Sequence, residues 1–171
     1  MNKTRIITLL SALVVSLAAV SLLWAGTTVE DTFNMKTKEY TGDNAHKYYP
    51  VPFTHKKHHD DYKISCGECH HDANGKALEL TMGDDVQRCI ECHDKPGKAP
   101  KGKGKKKLKG KEKRQYHAEA LHANCITCHK KFNKKFVEKA KAKDPKAKVK
   151  GPAPSSCGAC HYEGNKKGKI K

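Results

Sequence analysis

One pattern constrains this chain more than any other: Cys-x-x-Cys-His, written four times. It stands at Cys66-Gly67-Glu68-Cys69-His70, Cys89-Ile90-Glu91-Cys92-His93, Cys125-Ile126-Thr127-Cys128-His129 and Cys157-Gly158-Ala159-Cys160-His161, and it uses all eight cysteines. Thiols at i and i+3 lie on one face of a helical turn, and a histidine at i+4 continues that face. Both thiols can then bond the vinyl groups of one porphyrin while the imidazole takes the iron, which is the attachment signature of a c-type haem. Paired cysteines also serve structural zinc, redox dithiols and disulfide frameworks. None of these calls for a histidine after every second cysteine, and 11 histidines in 171 residues would not supply four by accident. The expected cofactors are four haem c groups with their iron. The covalent anchors are Cys66, Cys69, Cys89, Cys92, Cys125, Cys128, Cys157 and Cys160, and the proximal ligands are His70, His93, His129 and His161.

The N-terminus agrees with that chemistry. Lys3 and Arg5 precede an uncharged run from Ile6 to Trp24, the form of an export signal. Bacterial c-type haem is attached outside the cytoplasmic membrane, so signal and motifs support each other. The run is long for a cleaved signal and just long enough to span a bilayer. Residues 1–25 therefore read as a signal peptide or an N-terminal membrane anchor, the anchor lying in 6–24. Either way the rest of the chain is expected in the periplasm. Residues 26–50 read as a polar extension in which His46 is expected to be solvent-exposed. Residues 51–171 read as the haem domain.

That domain is too polar for an ordinary core. Mean hydropathy of the whole chain, apolar leader included, is −0.82, and large aliphatics are sparse beyond residue 25. Porphyrins would supply the missing apolar mass, which predicts a largely unfolded haem-free chain. The fold class expected is mostly α and coil with little regular secondary structure: a compact multihaem fold organised around four covalently attached haems.

Along the domain, Tyr48 to Phe53 suits an edge strand bounded by proline. Asp84 is the expected N-cap of a short helix reaching His93. The Lys-rich insert 95–114 holds eleven basic residues and one acidic one and has no apolar period, so it reads as a mobile loop. Gln115 to Lys143 reads as helix, with Phe132, Phe136, Val137 and Ala140 as a stripe against a haem or a neighbouring helix. Asp144-Pro145 ends it. The formal charge of +17 stays positive after the propionates of four haems are subtracted. This favours acidic partners and faster encounter with them. Nucleic acid is not expected, because no aromatics interleave the lysines and the compartment is wrong.

Seven histidines remain outside the proximal set: His46, His55, His58, His59, His71, His117 and His122. Four of them would complete bis-histidine coordination. Methionine is a poor substitute, with only Met35 and Met82 beyond the leader. Phe53-Thr54-His55-x-x-His58, followed by Cys66-x-x-Cys69-His70-His71, closely resembles the opening of the class III tetrahaem cytochromes, low-potential carriers of sulfate-reducing bacteria. The resemblance covers about residues 51–161. It implies that His55 serves the haem on Cys66 and Cys69, His58 the haem on Cys125 and Cys128, and His71 the haem on Cys89 and Cys92. It leaves the fourth haem to His122 or His117, with His122 expected because it lies just ahead of the third motif. His59 is the weaker competitor of His58.

The resemblance further implies a carrier, not an enzyme. Its partners would be acidic redox proteins such as a periplasmic hydrogenase, formate dehydrogenase or membrane cytochrome complex. Two rival readings remain: a multihaem reductase with one open haem site, and a structural conduit subunit for extracellular electron transfer. The uniform two-residue cysteine spacing and the insert 95–114 depart from the family pattern.

Overall fold

The computed structural model describes residues 29–42, 45–163 and 166–167. The expected leader, 1–25, lies outside them. Among the described residues no helix is long and apolar enough to cross a membrane. Glu30–Glu79 and Gln87–Lys171 form one compact unit, and Leu80–Val86 lies outside it.

Among the described residues helix and coil dominate, with four two-residue strands. Strand β1 (Phe33–Asn34) pairs antiparallel with β2 (Pro52–Phe53), Phe33 opposite Phe53. The expected edge strand therefore forms, and part of the polar stretch 26–50 supplies its partner. Lys56 N–H also donates to the Asp31 carbonyl. Helix α1 (His55–Asp60) follows β2 directly. A 3-10 turn over Cys66–Glu68 carries the first motif, α2 (Cys89–Cys92) the second, and α5 (Cys157–Cys160) the fourth. The third sits inside α4 (His117–Lys143), a helix of 27 residues and thus about 40 Å long. Strands β3 (Tyr162–Glu163) and β4 (Lys166–Lys167) close the chain as a hairpin.

The reason for α4 is local. Alanine and lysine, both good helix formers, fill it. Glu119 lies in its first turn and Lys141 and Lys143 in its last, each complementing the helix dipole. Lys143 is the residue before Asp144-Pro145, so the stop falls where proline places it.

Three expectations need correction. Asp84 does not cap a helix. Its carboxylate accepts from Thr81 N–H at 2.7 Å and Thr81 Oγ1 at 3.1 Å, and the helix of the second motif starts only at Cys89 behind Arg88. The insert 95–114 is not loop throughout. Its last five residues form α3 (Gly110–Arg114), and its first are fastened to the start of α4 by His117 N–H to Lys95 O and Ala118 N–H to Gly97 O. Lys113 adds a 3.0 Å ion pair to the buried Glu119. Within the α4 stripe, Phe132 and Phe136 stack on each other at 6.5 Å and are 52% and 43% exposed within the polypeptide itself, which leaves a haem as the expected partner of that face. His46 is half-buried and stacked on Tyr40 at 4.4 Å, not solvent-exposed.

Apolar burial by the polypeptide itself is slight. Among the described residues the buried hydrophobic side chains are Ile90, Ala99 and Ala120, and no large side chain is fully enclosed. Such a chain cannot offset its conformational entropy by burying its own side chains.

Candidate functional site

The motif turns present their histidines through main-chain geometry. In each motif the histidine N–H or the second cysteine N–H closes the turn back onto the first cysteine or the residue before it. Examples are His70 to Cys66 O, His93 to Cys89 O and His161 to Cys157 O. Gly67 matters inside the first motif, because a Cβ there would lie 2.7 Å from the Leu78 carbonyl oxygen and 3.1 Å from Ala77 Cβ. The chain returns that closely because His71 bridges Ala77 across a turn at Asp72–Gly75. The Asp72 carboxylate caps that turn by accepting from Asn74 and Lys76 N–H.

The histidines then converge two by two. His55 and His70 have ring centroids 6.4 Å apart, His58 and His129 6.3 Å, His71 and His93 5.8 Å, and His122 and His161 6.2 Å. Each pair joins one motif histidine to one histidine outside the proximal set. Two imidazoles coordinating a metal from opposite sides, with bonds of about 2 Å each, have centroids about 6 Å apart once the ring half-widths are added. The spacing therefore fits one axially ligated iron per pair. Among the described residues no three Cys, His, Asp or Glu side chains cluster as a zinc cage would require.

Hydrogen bonds orient the rings. Nδ1 of His93 donates to Arg114 O at 2.6 Å, that of His129 to Pro154 O at 2.5 Å and that of His161 to Tyr49 O at 2.7 Å. His58 uses Thr54 O and His71 uses Asp72 O in the same way. A donating Nδ1 leaves Nε2 unprotonated as the metal ligand and makes it more basic. Burial lowers the pKa of His70, with the nearby His55 and His71 adding to the effect, and burial also lowers that of His122. Both rings are thus held neutral, the form that binds metal. Nδ1 of His55 is buried with no hydrogen-bond partner, while the Phe33 and Phe53 rings flank that imidazole at 6.4 and 6.0 Å. Helix α1 serves two pairs from a single turn, since His55 and His58 are three residues apart on it.

The remaining histidines go elsewhere. His59 Nδ1 lies 2.7 Å from Asp60 Oδ1. His117 is buried and 3.1 Å from the Tyr40 hydroxyl, whose ring also stacks on His46. Burial pushes the pKa of His117 down to about 4, with smaller help from His93. Burial pushes the Cys125 thiol up to about 11 and also raises Cys69, Cys89 and Cys160. These side chains are therefore neutral thiols.

Sequence reasoning did not find the carbonyl acceptors at Tyr49, Arg114 and Pro154, because a main-chain oxygen has no residue signature. Asn133, which holds the Pro154 segment, and Tyr40 were missed for a different reason. Each is a single polar residue in a stretch with no motif around it.

A model of the class III cytochrome c family matches residues 31–161 of the chain. No curated protein and no solved structure matches it.

Proposed function

The chain belongs to the class III cytochrome c family, and on that premise we propose that it is an exported carrier of electrons holding four bis-histidine c-type haems. Family membership itself makes it a haem c-binding electron-transfer protein. The count of four rests on the four motifs, and the ligand sets on the four imidazole pairs at 5.8–6.4 Å, the observation that carries the reading. The pairs are His70 with His55, His93 with His71, His129 with His58, and His161 with His122.

When bound, haem iron supplies one-electron chemistry by alternating between its ferric and ferrous states. The chain does the rest. The two histidines of each pair would hold the iron between them and leave no coordination position for a substrate, which favours transfer over catalysis. All-histidine ligation withholds the methionine that raises cytochrome potentials, and the carbonyl bonds to Nδ1 make the imidazoles more basic and lower the potential further. The partner would be an acidic redox protein such as a periplasmic hydrogenase, formate dehydrogenase or membrane cytochrome complex. Lysines of the insert 95–114 would steer the encounter in a salt-dependent way. Residues 1–25 would export the chain and, if retained, would hold it at the outer face of the cytoplasmic membrane.

Protein-film voltammetry tests this reading. The expected result is four reversible one-electron couples at low potential with no added current when nitrite or hydroxylamine is supplied. A catalytic current with either substrate would overturn the carrier assignment in favour of a multihaem reductase.

A further inference from the structure

In the Lys-rich second half of α4 stands Asn133, whose carboxamide makes both of its hydrogen bonds to one residue. Nδ2 donates to Ala153 O at 2.8 Å and Oδ1 accepts from Ala153 N–H at 2.9 Å. The side chain thus pairs with the Ala153 main chain as a neighbouring strand would. Ala153 lies between Pro152 and Pro154, so its N–H is the one main-chain donor those three residues possess. The approach is close enough that a Cβ on Gly151 would collide with the Asn133 side chain.

His129 lies one turn before Asn133 on the same face of α4. It holds the next residue of the same segment, donating from Nδ1 to Pro154 O at 2.5 Å. Two successive rungs of the helix therefore grip two successive residues of the lead into the fourth motif, three residues ahead of Cys157.

We propose that Asn133 is a positioning residue for the proximal ligand of the third haem. By clamping Ala153 it fixes the Pro154 carbonyl on His129 Nδ1, and so sets the plane and basicity of that imidazole. The inference rests on the four-haem reading above. It concerns one haem only, because the other proximal rings take their carbonyls from Tyr49 and Arg114 or from no such segment. Removing the clamp makes the His129 ring a weaker donor, favours the ferrous state and raises one potential out of four.

The geometry supplies a way to see that haem alone. The His58 and His129 rings are 24° apart, whereas the other three pairs are at 88°, 65° and 78°. Near-parallel axial imidazoles give a rhombic low-spin ferric EPR signal, distinct from the highly anisotropic signal of crossed ones.

The test is a potentiometric titration followed by EPR on holoprotein of wild type, N133A and G151A. The expected result in both variants is that the rhombic signal shifts and its couple moves upward. The shift is about tenfold in the reduction equilibrium, or 59 mV for one electron, while the other three couples stay in place. Four unchanged couples, or four moving together, would overturn the proposal. If the variants do not accumulate, nitrogen NMR of wild type decides. A slowly exchanging His129 Nδ1–H coupled to the Pro154 carbonyl is expected, and a freely exchanging one overturns the clamp. Failure of the wild type to show four low-spin haems would instead strike the four-haem reading.

Discussion

Replacing His122 by alanine should convert one haem in four to a high-spin, ligand-accepting centre. The fraction follows from the pairing, since His122 faces His161 at 6.2 Å and is paired with no other motif histidine. Rescue by the neighbouring candidate is ruled out by helix geometry. His117 precedes His122 by five residues on α4, which places it about 7.5 Å along the axis and about 140° around it. Its Nδ1 is also engaged with the Tyr40 hydroxyl at 3.1 Å. With His117 turned away from His161, ferrous H122A should bind about one carbon monoxide per chain, and the ferric protein should show a high-spin EPR signal from a quarter of its haem. The loss of a strong axial donor should also move that centre's couple upward by on the order of 100 mV, a modest part of the roughly 0.8 V over which axial ligands set haem potentials. The companion H117A should keep four low-spin haems and bind no carbon monoxide. A low-spin H122A beside a high-spin H117A would refute the assignment and the helix argument behind it.

Three further outcomes follow from other parts of the chain. G67A sets a methyl group against the Leu78 carbonyl and should destabilise the holoprotein by about 1–3 kcal/mol, read as a lower Tm with full haem content at the other three motifs. The pKa of His117 is held near 4, below the ordinary 6.5, by burial and then by the neighbouring His93, with His46 and Arg88 acting in the same direction and Glu39 against it. The unfolded chain therefore binds the extra proton between those values, and the stability this site contributes is present above about pH 6.5 and lost as pH falls toward 4. H117Q should flatten the dependence of Tm on pH across that window, and an unchanged slope would count against the site. A haem-free preparation should lose most of the helical far-UV circular dichroism of the holoprotein, because Ile90, Ala99 and Ala120 are the hydrophobic side chains buried among the described residues and local preference alone leaves a helix marginal. Near-native ellipticity would contradict that.

The sequence was most informative where chemistry requires particular residues at fixed spacing. The motif cysteines and histidines, and the His55–His58 pair beside Phe53, stand out in the sequence because the haem attachment and iron ligation proposed for them would tolerate few alternatives. Helix α4 was legible from its composition and its proline stop. What escaped were features set by tertiary contact. The pinning of the insert 95–114 depends on carbonyls of Lys95 and Gly97 meeting the start of α4, and no pattern within the insert announces it. His46 was misjudged because its partner, Tyr40, meets it through a ring contact that no apolar pattern in the sequence announces. Asp84 has the composition of a helix cap but caps a local turn with Thr81, which needs no helix to form.

The most direct test of the central claim is haem quantified as pyridine haemochrome against protein mass, combined with the EPR spectrum of the oxidised holoprotein. The account predicts four haems per chain, all low-spin, with one rhombic signal from the His58–His129 pair. Fewer than four haems, or a high-spin component in the unmodified protein, would contradict it.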